Sequence, residues 1–185
     1  MGFVWMLAGL AGGCAGHPAV IQVVDYHAPS DVKRYQETFD EAYYDVDDQG
    51  DVHIVLRRQA GAWGSGEDFT QVVRIKSVWR HVPGRSVSHR SAVNAQVSYF
   101  LVGARTGESF EGAGSVHLKV NKKGTKLTAT LDQALVRPAR KIGSDESVFT
   151  KAELSGKIEA RRDRRQVVRL SNDMERTFGP QTANR

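Results

Sequence analysis

Apolar and polar residues alternate along most of this chain. Ala42, Tyr44 and Val46 fall in step against Tyr43 and Asp45, and Val52, Ile54 and Leu56 do so against Asp51, His53 and Val55. A period of two marks a strand with one buried face. Between the two runs, Asp47-Asp48-Gln49-Gly50 supplies turn residues, with Gly50 suited to a positive φ, so the segment reads as a hairpin. Upstream, Val20-Ile21-Gln22-Val23-Val24 is short, β-branched and bounded by Pro18 and Pro29, which suits an early strand. Asp31 to Ala42 stays open. Val32, Tyr35, Phe39 and Ala42 also fall at helical spacing.

The pattern continues past a glycine-rich break at Gly61-Ala62-Trp63-Gly64-Ser65-Gly66. From Thr70 to Trp79, Val73, Ile75 and Trp79 share a face, and Val82-Pro83-Gly84-Arg85 marks a turn. Val93, Ala95, Val97, Tyr99 and Leu101 then form the clearest strand, and a short return strand begins at Phe110. Val116, Leu118 and Val120, the turn Asn121-Lys122-Lys123-Gly124, and Leu127, Ala129 and Leu131 make a second hairpin. Arg137 to Ser147, with Pro138 and Gly143, reads as a polar connection. Ala152, Leu154, Gly156, Ile158 and Ala160 alternate once more, and a turn at Arg162-Asp163 predicts a return strand through Gln166 to Leu170. Ser171 to Arg185 is polar and reads as a loose tail.

About seven to nine such strands, each with one apolar face, predict a mainly β domain of antiparallel sheets. Each apolar face must be covered by another layer, so the expected architecture is a β-sandwich or a partly closed barrel. The 185 residues suit one domain able to bury a core unaided. The expected organisation is residues 1–13 as a signal peptide, 14–30 as a lipidated N-terminus and spacer, 31–170 as the β-rich domain and 171–185 as the tail.

The first residues change the picture. Met1 to Val24 holds no Asp, Glu, Lys or Arg, and the apolar run from Phe3 to Ala8 passes into Gly9-Leu10-Ala11-Gly12-Gly13-Cys14. As a helix, Phe3 to Leu10 would span only about 12 Å, too short for a bilayer. An apolar run followed by small residues is the form of a signal peptide. The small residues ending in Cys14 resemble the lipobox of bacterial lipoproteins. That resemblance implies cleavage before Cys14, acylation of its thiol and anchorage of an exported protein at the membrane of the cell envelope. Ordinary signal cleavage is the alternative. Cys14 is the chain's one cysteine, which excludes an internal disulfide and a cysteine zinc site.

Composition narrows the chemistry. The chain has 26 Lys plus Arg against 21 Asp plus Glu, a net charge of +5, with its densest basic run at Arg161-Arg162-Asp163-Arg164-Arg165. Such a surface attracts phosphate, anionic lipid or acidic polysaccharide, or is simply solvated. No pair of the six histidines has metal-motif spacing. Asp45, Asp47, Asp48 and Asp51 resemble a calcium loop only loosely, because its twelfth position would be Leu56 rather than a bidentate Glu. A hydrophilic hairpin turn is the simpler reading. No nucleophile elbow, phosphate loop or dinucleotide fingerprint is present.

The sequence therefore leans away from an enzyme and implies no cofactor and no metal. The leading expectation is a non-enzymatic β domain serving envelope structure or protein binding, its partners being the membrane, another envelope protein or a polysaccharide. Nucleic acid is disfavoured by export. The alternative is a small-ligand carrier or an enzyme with a pocket built from loops. Trp63, Trp79, His81, Arg85 and His89 are the candidate ligand or partner surface.

Overall fold

The computed structural model describes residues 19–28, 31–60, 68–77, 93–143 and 147–179. The chain is mainly β, as the alternation predicts. Nine strands follow in order: β1 (Ala19–Ala28), β2 (Asp31–Phe39), β3 (Glu41–Val46), β4 (Val52–Ala60), β5 (Phe69–Ser77), β6 (Ala95–Val102), β7 (Gly107–Val120), β8 (Lys126–Ile142) and β9 (Ala152–Arg162). One helix, α1 (Arg164–Phe178), closes the described chain.

The strands form a single sheet that meets itself. β3 to β8 pair in sequence order, and β9 then bonds to β8 on one edge and to both β1 and β3 on the other. The result is a closed ring of β9-β3-β4-β5-β6-β7-β8, with the β1–β2 hairpin extending it from β9. All pairings are antiparallel except β3–β9, which is parallel and short, joining Tyr43 to Arg161 and Tyr44 to Arg162. The hairpin expectations at β3–β4 and β7–β8 are met, and the segment from Asp31 to Ala42 is two strands broken at Asp40, not a helix.

Closure requires bending. Register shifts lie between Ser109 and Phe110 and between Gly114 and Val116 on β7, and between Leu131 and Ala134 where β8 meets β9. Such bulges sharpen the twist that turns a sheet into a barrel. They also explain how β8 runs unbroken through Arg137 to Ile142, where Pro138 predicts a connection. Pro138 stands opposite Phe110, at a shift, so its missing N–H costs little. Gly156 is required at the β1–β9 contact: a β-carbon there would stand 2.1 Å from the Val20 carbonyl oxygen.

The interior is filled by the inward face of every strand. Ile21, Phe39, Tyr44, Ile54, Leu56, Ile75, Tyr99, Phe110, Leu127, Leu131, Leu154 and Ile158 form one continuous core, joined by Phe149 from the segment after β8. Tyr99, Phe110 and Phe149 sit ring to ring, with centroids 5.3–6.4 Å apart.

A second, smaller core lies outside the ring. Val167, Leu170, Met174 and Phe178 share one helix face and cover Tyr43, Val55, Val72 and Phe100 on the outer side of β3 to β6. The Phe100 and Phe178 rings are 5.4 Å apart. The helix begins where Asp163 caps it: its carboxylate accepts from the Gln166 amide at 3.1 Å. Its entry is fixed by the Asp163 amide donating to the Tyr44 carbonyl at 3.0 Å. These findings correct three expectations. Gln166 to Leu170 is helix rather than a return strand, residues 171–178 belong to the fold rather than to a tail, and β1, which bears out the early strand read at Val20–Val24, brings residues 19–28 of the expected spacer into the sheet. Among the described residues no helix is long and apolar enough to cross a membrane.

Candidate functional site

The barrel interior is not uniform along its length. Toward the end where β4 leaves for β5, a rung of inward side chains runs Arg58, Gln71, Leu101, Glu108, set by direct cross-strand pairing. The next rung inward is Leu56, Val73, Tyr99, Phe110. Glu37 reaches in from β2 and meets Arg58 at 2.6 Å, and both are largely withdrawn from water. The other end of the barrel, around Ile54, Ile75 and Leu127, is apolar.

Polar groups inside a barrel are costly unless satisfied. Here Arg58 Nε, both amide atoms of Gln71 and the Tyr99 hydroxyl are buried with no hydrogen-bond partner among the described residues. Gln71 and Tyr99 are fully enclosed. Burial pushes the Tyr99 phenol far up, a shift that the nearby Glu37 carboxylate reinforces and Arg58 opposes. Tyr99 therefore stays a neutral hydroxyl, able both to donate and to accept. Four unpaired atoms on three neighbouring residues offer two or more donors and two acceptors facing one region. That arrangement leaves hydrogen-bonding capacity enclosed in the interior; with Glu37 neutralised by Arg58 and Tyr99 held protonated, it is poorly poised for acid–base chemistry.

Glu108 closes the same rung. It accepts from the Val148 amide at 2.8 Å and from the Ser147 hydroxyl, tying the segment before β9 to β7. Burial raises its pKa, and the Val148 amide and Lys141 partly oppose the rise.

Two further features lie on the outside. A cleft of about 420 Å³ runs between α1 and the strands beneath it, lined among others by Asp45, His53, Arg74, Lys76, Ser98 and Glu175. Most of its charges are matched: His53 meets Asp47 at 2.9 Å, Arg74 meets Glu175 at 3.2 Å and Lys76 meets Asp51 at 3.2 Å. The acidic turn from Asp47 to Asp51 also explains itself. Asp47 accepts from the amides of Gln49 and Asp51 at 2.9 Å each and from His53, and Gly50 sits at φ +85°. The His53 contact, with those amides, holds the Asp47 carboxyl below its ordinary value against an opposing effect of desolvation. His117 is bound to Asp132 at 2.9 Å. Among the described residues no group of three or more metal-ligating side chains is assembled.

Trp63, Trp79, His81, Arg85 and His89, and Cys14 with residues 1–13, all lie outside the described residues. Of the aromatic residues beyond that set, Tyr99 and Phe110 are core, Tyr43 lies under α1, and Tyr44 fills the interior and donates to the Gly124 carbonyl at 2.7 Å. The polar rung escaped sequence reasoning. Its signal was Arg58 and Gln71, each two residues from an apolar inward position in strands otherwise in step. Compared with known protein families, curated proteins and solved structures, the chain matches none.

Proposed function

We propose that this is an exported lipoprotein, anchored at the bacterial cell envelope through an acylated Cys14, whose β domain works by binding rather than by catalysis. The observation that carries the binding reading is the polar rung inside the barrel: Arg58, Gln71 and Tyr99 keep buried donors and acceptors open where a shape-matched apolar residue would be more stable. The anchor rests on the lipobox-like residues ending in Cys14, five positions before the first strand. Within this reading, envelope structure or attachment to a protein partner engages the outer surface of the domain.

The same rung favours a second reading, carriage of a small polar ligand. The atoms on offer suit a neutral solute bearing adjacent donors and acceptors, such as a sugar or an amide. Ligand-observed NMR with N-acetylglucosamine and with a panel of neutral amino acids tests it. Binding of one of these by the wild type, lost in Tyr99→Phe and Gln71→Leu, supports carriage. Identical spectra for all three proteins assign the rung to ordered water and leave the outer surface as the binding element. For the main reading, cell fractionation should place the wild type with membranes and release Cys14→Ser. A pull-down from membranes that yields no specific partner, joined to a deletion without envelope phenotype, overturns it.

A further inference from the structure

The cleft beside α1 has a floor made by cross-strand pairing. Arg74 of β5 stands opposite Ser98 of β6, and Lys76 stands opposite Gln96. Alternation turns these four side chains outward, because Val73, Ile75, Val97 and Tyr99 fill the core. Ser98 is only 8% exposed, and its hydroxyl has no hydrogen-bond partner among the described residues. A nearly buried hydroxyl left unmatched is costly, and this one lines the cleft.

The helix sends one charged side chain to each end of the cleft. Glu175 meets Arg74 at 3.2 Å, and Arg164 approaches Asp45 at 3.9 Å. Both helix side chains are open to water, at 67% and 72%, whereas Arg74 and Asp45 are withdrawn, at 29% and 11%. Ion pairs with such exposed partners are weak, so either helix group gives way at small cost. Arg74 is held in place, its guanidinium 5.9 Å over the Phe100 ring. It donates to Glu175 through one nitrogen only, which leaves its capacity for a two-pronged bond to a carboxylate unused. Near Asp45, Asp48 is exposed with no ion pair among the described residues, while Asp47 is taken by His53 and Lys76 by Asp51. A carboxylate is therefore exchangeable at one end of the cleft and a cation at the other.

We propose that this cleft binds a short peptide as a zwitterion, its C-terminal carboxylate on Arg74 and the Ser98 hydroxyl and its N-terminal ammonium on Asp45 and Asp48. The inference deepens the reading of the outer surface as a binding element, and rests on it. Glu175 and Arg164 are the peptide's stand-ins, one for each charged end. The spacing fits. Asp45 and Arg74 stand two strands and two residues apart, about 12 Å, and three extended residues reach at most about 11 Å. The two side chains close the difference. Val167 and Val168 line the helix side and give the peptide's own side chains an apolar wall, the mixture of apolar wall and few polar anchors that ligand sites use.

The test is an NMR titration of the isotope-labelled full chain with trialanine, used with both ends free, as its C-terminal amide and as its N-acetyl form. The free tripeptide should shift the amides around the cleft, and blocking either end should weaken binding about tenfold or more. Arg74→Gln should weaken it as much as amidation does, and amidation should then add no further loss. Glu175→Gln, which removes the internal stand-in for the carboxylate, should tighten binding about two- to fivefold. Absence of cleft shifts at millimolar tripeptide, equal binding of the amide, or no gain from Glu175→Gln overturns the inference. A specific partner recovered from membranes beside a silent titration removes this peptide site while the binding reading stands.

Discussion

Single residues show where this protein keeps polarity at a cost. The Glu37–Arg58 pair is buried at 2.6 Å, and deleting one partner leaves the other charged and dry. Arg58→Leu should therefore lower unfolding free energy by about 3 kcal/mol, and adding Glu37→Leu should recover most of it. Urea denaturation of the two variants checks this; equal stability of single and double variants would show that the pair is not coupled. Glu108 behaves in the opposite sense. Burial raises its folded pKa above the ordinary carboxyl value, so the folded state holds its proton more tightly than the unfolded chain. That contribution favours folding at low pH and is lost as pH rises through the folded pKa. Glu108→Gln, which keeps an acceptor for the Val148 amide, should flatten this fall in stability between acidic and neutral pH. Parallel pH profiles for wild type and variant would contradict the assignment.

Elements were legible in the sequence where one face was apolar and the other was not. The β3–β4 and β7–β8 hairpins follow from alternation plus Asp-Gln-Gly and Lys-Lys-Gly turn chemistry, and β9 follows from Ala152 to Ala160 alone. What the alternation did not carry was the second layer. Val55, Val72 and Phe100 are isolated apolar residues on outer faces that are otherwise largely polar, and the reason for them is α1 lying across that side. The same helix is spelled by Val167, Leu170, Met174 and Phe178 after a capping Asp163, but its dense arginines made it look like solvated turn and tail. The polar rung was hidden for a different reason: which strand stands beside Gln71 depends on how the ring closes, a long-range fact that local periodicity does not carry. Two variants test the helix as a structural layer. Leu170→Ala should cost about 2–4 kcal/mol through lost burial and a cavity, and Asp163→Ala about 1 kcal/mol through the lost cap. Thermal or urea unfolding measures both, and a neutral Leu170→Ala would show α1 to be only loosely applied.

At the scale of the whole molecule, the ring of seven strands, the β1–β2 hairpin and the outer helix give the two ends of the barrel different characters. One end holds the buried polar rung and Glu108. The other carries the basic β7–β8 turn and helix entry beside the acidic β3–β4 turn. The proposed lipid anchor turns on the fate of Cys14. The most direct measurement is the intact mass of the protein extracted from bacterial membranes. Lipid anchorage predicts a chain lacking residues 1–13 and carrying acyl mass on Cys14; an unmodified Cys14 with residues 1–13 still attached would contradict it.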